Sequence, residues 1–112
     1  MNDRKIIVVF ADKELENKFE NLKDGTGEEK QLYKFIRRAI EDLKQDPTCG
    51  IKIPKDRWPK IYIKKYGITN LWKYDLPNAW RLIYTIMADK IMISSVILEW
   101  FSHKDYEKRF GY

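Results

Sequence analysis

Two neighbouring helical segments, each with a single apolar stripe, constrain the fold of this chain more than any other feature. In the first, apolar residues recur at i, i+4 and i+7 from Leu15, and Asp12 precedes them as a candidate N-cap. In the second, an apolar stripe runs over residues 32–43 and is predicted to end before Pro47. Residues 24–27 break the pattern between them. Such a helical hairpin must bury its stripes against a sheet.

Strand patterns flank this hairpin on both sides. The β-branched apolar run at residues 4–10 is short enough to be a buried strand. Residues 51–69 contain two prolines and dense charge, and predict an irregular connection with a short strand at residues 61–64. Three clearer strands follow, with links of hairpin length, at residues 70–76, 80–87 and 91–100. The last is long and apolar, and we expect it to be central.

The order β-α-α-β-β-β predicts one α+β domain over residues 1–112. We expect a twisted, mainly antiparallel sheet of about four strands, with the helical hairpin on one face and a short helical turn at the C-terminus. The other face is expected to be open beside the connection. No apolar run approaches the ~20 residues of a membrane span, so no membrane partner is expected. The single cysteine, Cys49, suits a reducing cytoplasm.

The positive charge of the chain is concentrated in one segment. The net charge is +5, and residues 51–66 alone hold six basic residues against one acidic residue, Asp56. Trp58, Tyr62 and Tyr66 are interleaved with them. Phosphate neutralisation and base stacking by such a segment favour single-stranded RNA. A solvated lysine-rich loop, or a surface for an acidic protein partner, explains the same pattern.

Few residues offer catalytic chemistry. His103 and Cys49 lie 54 positions apart and make no recognisable metal-binding spacing, so neither a metal nor another cofactor is expected. A free cysteine is far more often a small apolar residue than a nucleophile. The remaining group is Arg81, His103 and Tyr106. Histidine is the residue type whose unperturbed imidazole changes charge near neutral pH, which makes His103 the best acid or base.

Each of these three residues also has a structural interpretation. Strand alternation places Arg81 on the face opposite Leu82, where it opens onto a ligand or forms a cross-strand salt bridge to Asp75 or Glu99. His103 and Tyr106 have the i, i+3 spacing of one side of a helical turn. A capping histidine and a packing tyrosine would have the same spacing.

The C-terminal half resembles a known family. The segments NLWKYDLPNAWRLIYTI and ILEWFSHKDYEKRFGY are similar to RelE/ParE-superfamily toxins, which have a hairpin strand with Arg-Leu-(Ile/Val)-Tyr, a long strand, and a turn with His or Lys and Tyr. The order of the upstream elements is similar as well. RelE-type members cut messenger RNA on the ribosome and are inhibited by a cognate antitoxin. ParE-type members share the fold and target DNA gyrase.

The resemblance implies roles for individual residues. Arg81 matches the family's phosphate-binding arginine, Tyr106 its C-terminal catalytic tyrosine, and His103 a position where several members have histidine. The RNA-binding residues implied by the basic segment are Lys52, Lys55, Arg57, Lys60, Lys64 and Lys65. The glutamate base of some relatives has no clear counterpart there, and the segment is longer than in compact members.

The implied activity is a metal-independent endoribonuclease. The ribose 2′-hydroxyl attacks the phosphodiester, Arg81 stabilises the phosphorane, and a 2′,3′-cyclic phosphate forms. The expected partners are messenger RNA, the ribosome and an antitoxin protein. Two other functions fit the same residues: a non-catalytic module that binds RNA or protein, and a gyrase inhibitor of the ParE type.

Overall fold

The computed structural model describes residues 4–111, which form an α+β fold of four helices and a five-stranded mixed sheet. In chain order the elements are β1 (Lys5–Phe10), α1 (Lys13–Asn21), α2 (Gly27–Gln45), β2 (Ile51–Lys52), α3 (Lys60–Tyr66), β3 (Trp72–Asp75), β4 (Arg81–Ala88), β5 (Met92–Phe101) and α4 (His103–Phe110). No helix in these residues combines the length and apolar character that crossing a bilayer requires.

The strand order is β1-β5-β4-β3-β2. β1 runs parallel to β5, and the other neighbouring strands are antiparallel. β5 therefore lies in the interior of the sheet, as its long apolar run predicts. The strand count of about four is corrected to five, because β2 pairs Ile51 with Lys73 and Lys52 with Trp72. A strand of two residues is too short to show a periodic pattern.

Helices α1 and α2 cover one face of the sheet. Asp12 caps α1 as predicted, since its carboxylate accepts the backbone N–H of Leu15 at 2.8 Å. Thr26 and Glu29 form a capping box at the start of α2. The buried side chains between these helices and the sheet form the first core: Phe19, Leu22, Leu32, Ile36, Ala39, Leu43, Leu76, Leu82, Tyr84, Ile97 and Trp100.

The opposite face is not open, which corrects the expectation from sequence. Helices α3 and α4 lie on it and bury a second core of Ile53, Tyr62, Ile68, Leu71, Ile83, Leu98, Tyr106 and Phe110. The strand predicted at residues 61–64 is part of α3, which follows Pro59 and ends at Gly67 in the left-handed conformation (φ 58°). In this helix Tyr62 is buried in the second core, whereas the neighbouring Ile61 and Ile63 are exposed.

A β-bulge in β5 turns two consecutive side chains towards α4. Ile83 is paired with Glu99 and Tyr84 with Ile97, so Leu98 is an extra residue in β5. Leu98 and Glu99 consequently both face α4: Leu98 packs in the second core, and Glu99 forms an ion pair with Arg109 of α4 at 3.2 Å. The C-terminal element is longer than the single turn predicted, because Ser102 caps a helix of eight residues.

Candidate functional site

Arg81 begins β4 and lies on the sheet face covered by α4, as strand alternation predicts. Its register partners are Asp75 on β3 and Phe101 on β5. The Nε atom of Arg81 lies 3.0 Å from Oδ1 of Asp75, which is one of the two cross-strand ion pairs foreseen from the sequence. Nη1 donates a hydrogen bond to the backbone carbonyl of Trp80 at 3.3 Å. The guanidinium is thus held at the start of the strand.

Tyr106 of α4 lies against this guanidinium. The Arg81 Cζ atom is 5.6 Å from the centroid of the Tyr106 ring, a distance at which a cation is attracted to an aromatic face. Phe110, one turn further along α4, stacks on the same ring at a centroid distance of 4.6 Å. The ring is buried. Two of the three candidate catalytic residues, from distant parts of the chain, are therefore in contact.

Lys73 is a third member of this cluster, and sequence reasoning did not select it. Its Nζ atom lies 5.7 Å from the centroid of the Tyr106 ring and 3.4 Å from Oδ1 of Asp75. The alternation of β3 could have identified it, because Lys73 and Asp75 are two positions apart and share a face. The cluster of Lys73, Asp75, Arg81 and Tyr106 is called the cation cluster below.

His103 does not share these contacts. It is the first residue of α4, and its Nε2 atom lies 2.7 Å from Oε1 of Glu107, one helical turn later. It lines a surface cavity with Trp80, Asn78 and residues of α2, and the lining of that cavity includes neither Arg81 nor Tyr106. The i, i+3 spacing of His103 and Tyr106 is present in α4, but the imidazole is oriented by Glu107.

The six basic residues predicted to bind RNA are distributed over three elements. Lys52 lies on β2 and is the register partner of Trp72, so its side chain is on the sheet face of α2. Lys55 and Arg57 belong to a 3₁₀ turn, and Lys60, Lys64 and Lys65 belong to α3. All six are exposed.

Lys65 has an acidic environment of its own. Its pKa is raised by a hydrogen bond to Tyr66 and by the negative charges of Asp12 and Glu14 near the start of α1. It also lines a cavity together with Asp12 and Glu14. Lys65 is therefore turned towards α1, away from the edge of the sheet where Lys52 lies.

Cys49 and the acidic residues offer little further chemistry. Burial, together with Asp46 and Asp42, raises the pKa of the Cys49 thiol, which disfavours the nucleophilic thiolate. Cys49 lines a cavity with these two aspartates rather than with His103. Within residues 4–111 no group of three or more His, Cys, Asp or Glu side chains is placed to hold a metal ion.

The cation cluster is suited to an anionic ligand. Two positive groups and one carboxylate meet beside an aromatic ring, and Asp75 at their outer side is exposed. Arginine and lysine together recognise phosphate, the first through a planar fork of donors and the second as a point charge. The chain matches no protein-family model, no curated protein and no solved structure at a significant level.

Proposed function

We propose that this chain is a RelE-like toxin of a toxin–antitoxin system, a cytoplasmic endoribonuclease that cleaves messenger RNA on the ribosome without a metal ion. The observation that supports the proposal is the contact of Arg81 and Lys73 with the Tyr106 ring, because the resemblance to the family implies phosphate binding by Arg81 and a catalytic role for Tyr106. A cognate antitoxin would bind the same protein and inhibit it.

In the proposed mechanism the cation cluster binds the scissile phosphate. Negative charge grows on the non-bridging oxygens when the 2′-hydroxyl attacks, and fixed cations stabilise it without reorganising. Arg81 and Lys73 supply two such cations. The Tyr106 ring, itself stacked on Phe110, holds both of them in place.

The proton transfers are assigned to His103. Cleavage requires a base for the 2′-hydroxyl and an acid for the 5′-leaving oxygen. Oε1 of Glu107 lies 2.7 Å from Nε2 of the imidazole, and the His103 side chain is 58% exposed, so the ring is accessible from solvent. In the phosphorane both oxygens are bonded to the phosphorus that Arg81 would hold, so this role requires the His103 side chain, at the N-terminus of α4, to reach the cation cluster when RNA binds.

The decisive experiment examines the ends of the RNA products. Purified protein is incubated with messenger RNA alone in EDTA and, separately, with programmed ribosomes in magnesium buffer. We expect 2′,3′-cyclic phosphate ends in at least one of these reactions. Arg81→Ala is expected to reduce the cleavage rate by about 10²-fold or more, the usual cost of one transition-state donor.

Arg38→Ala is the matched control, because Arg38 is an exposed residue of α2 whose i, i+4 pair with Asp42 contributes little. This variant should cleave like the unchanged chain. Intact RNA in both reactions, or products with 5′-phosphate ends, would contradict the proposal.

A non-catalytic RNA-binding module is the second candidate. It is favoured by the two carboxylates that engage the candidate catalytic groups, Asp75 beside Arg81 and Glu107 beside His103. In that case RNA binds to the cation cluster and remains intact. Fluorescence anisotropy with a labelled oligoribonucleotide measures RNA binding, and the cleavage assay measures cleavage. Binding without cleavage indicates the non-catalytic module, whereas binding with cleavage indicates the nuclease.

A further inference from the structure

The Asp75 carboxylate occupies the outer side of the cation cluster. A single oxygen, Oδ1, lies 3.0 Å from Nε of Arg81 and 3.4 Å from Nζ of Lys73. The Asp75 side chain is 46% exposed, whereas Arg81 is 17% and Lys73 21% exposed. The carboxylate thus separates two largely buried cations from solvent, in the place where an external anion would approach them.

The two cations are held by contacts that do not involve Asp75. Arg81 Nη1 donates to the carbonyl of Trp80, and both cations lie over the Tyr106 ring. Tyr106 in turn stacks on Phe110. Because these contacts come from the strands and from α4, the cation pair would keep its arrangement if the carboxylate rotated away.

The ion pair between Asp75 and Arg81 also leaves the Nε–H donor of Arg81 without a hydrogen bond among residues 4–111. The Nε atom of Arg81 is buried and makes no directed hydrogen bond within the described residues, although Oδ1 is close to it. A buried N–H without an acceptor in line is unfavourable, so a better placed oxygen would be preferred. A tetrahedral phosphate offers oxygens in more directions than a carboxylate fixed to β3.

We propose that a phosphate group binds to Arg81 and Lys73 in place of the Asp75 carboxylate, and that Asp75 is a built-in competitor which limits the affinity for phosphate. The identification of this phosphate with an RNA phosphodiester rests on the proposed function. The exchange of one anion for another does not require cleavage.

The test is a titration with inorganic phosphate at constant ionic strength, followed by NMR through the Nε–H signal of Arg81. Asp75→Asn removes the competing charge and keeps the shape of the side chain. We expect phosphate to bind this variant about tenfold more tightly, as the loss of a like charge a few ångströms away predicts. Asp56→Asn is the control, because Asp56 is an exposed aspartate of the basic segment and the variant has the same net charge.

Asp56→Asn is expected to bind phosphate within about twofold of the unchanged chain, since Asp56 is not part of the cation cluster and an exposed charge is screened. Lys73→Gln should lose the response of the Arg81 signal. An Asp75→Asn variant that binds phosphate equally or more weakly, with unchanged thermal unfolding, would overturn the proposal. The same holds if phosphate shifts other signals and leaves that of Arg81 in place.

A second arm separates this inference from the proposed function. A non-cleavable 2′-O-methyl oligoribonucleotide replaces inorganic phosphate, and anisotropy reports its binding to the same variants. Tighter binding of both probes by Asp75→Asn without RNA cleavage by the unchanged chain would refute the nuclease and retain the competitor. RNA cleavage by the unchanged chain, with no effect of Asp75→Asn on the binding of either probe, would retain the nuclease and refute the competitor.

Discussion

At the scale of single residues, Tyr74 and Asp42 join β3 to α2. The Tyr74 hydroxyl donates a hydrogen bond to the Asp42 carboxylate. Burial, and then Asp42 itself, raise the pKa of Tyr74 to about 12. The hydrogen bond from Tyr74 is the main cause that lowers the pKa of Asp42 below its ordinary value of 3.8. Both shifts favour the same state, a protonated phenol beside an ionised carboxylate.

The hydrogen bond between Tyr74 and Asp42 predicts that the free energy of unfolding is highest at intermediate pH. A lowered aspartate pKa contributes stability that is present above pH ~4 and is lost as pH falls through the folded-state value. A raised tyrosine pKa contributes stability that is present below pH ~10 and is lost as pH rises towards 12. Urea unfolding of Tyr74→Phe should therefore depend less on pH at both ends than unfolding of the unchanged chain.

Tyr66→Phe is the control for that measurement, because Tyr66 lies on α3, outside this pair. Equal pH dependence of Tyr74→Phe and the unchanged chain would show that the hydrogen bond does not stabilise the fold.

The candidate site could be predicted from sequence only where a local rule applied. Alternation along β4 gave the face of Arg81, and the cross-strand pair with Asp75 was one of its two foreseen partners. Helical spacing could not choose between Tyr106 and Glu107 as the neighbour of His103, because i+3 and i+4 lie on the same side of a helix. Strand alternation places Lys73 on the same face as Asp75, but the sequence does not show that α4 packs over that face.

At the scale of elements, Gly50 lies in the connection between α2 and β2, where the backbone packs closely against β3 and β4. The Tyr84 hydroxyl donates to the carbonyl of Pro47 at 2.7 Å and accepts the N–H of Gly50 at 3.2 Å. A Cβ atom at position 50 would lie 2.5 Å from that hydroxyl oxygen and 2.6 Å from the backbone oxygen of Lys73. Only glycine fits between the connection and β3.

Gly50→Ala should consequently destabilise the chain. We expect the free energy of unfolding to fall by about 1–3 kcal/mol, the usual cost of overpacking. Gly27→Ala is the matched control, because a Cβ at this first residue of α2 would meet no atom within 4 Å. That variant should be unchanged or more stable by up to about 1 kcal/mol. Equal unfolding midpoints for the two variants in urea would contradict the close packing of Gly50 against Tyr84 and Lys73.

Elements whose apolar pattern agrees with their structure were predictable from the sequence. Helices α1 and α2 and strands β4 and β5 follow from patterns over eight or more residues, and the shorter strands β1 and β3 were also predicted. α3 was mistaken for a strand, because its seven residues contain isoleucines at alternate positions that are exposed rather than buried. β2 exists only through its pairing with β3, which no local pattern reveals.

At the scale of the whole molecule, the charge excess of +5 belongs to residues 51–66, but these residues do not form one surface. They lie on the sheet edge, on a 3₁₀ turn and on α3. The six basic residues are therefore divided between different parts of the surface. Sequence composition located the excess of charge, whereas its division between surfaces follows from the tertiary fold.

The salt dependence of RNA binding should report how much of the segment takes part. If Lys60 contacts a phosphate, Lys60→Gln should reduce the magnitude of the slope of log K against log salt concentration by about 0.7, the value for one single-strand contact. Anisotropy titrations with a labelled oligoribonucleotide at several salt concentrations give the slope. Lys30→Gln, at an exposed position of α2, should leave it unchanged. Identical slopes for the two variants would place Lys60 outside the interface.

The parallel pairing of β1 with β5 has a consequence for the order of folding. β1 is at the edge of the sheet, and its one strand neighbour among the described residues is β5, with Lys5 aligned to Met92. A ribosome makes β1 before β5, and Lys5 and Met92 are 87 positions apart in the sequence. β1 thus waits for the synthesis of every intervening element before its ladder of hydrogen bonds can close, and contacts so distant in sequence slow folding.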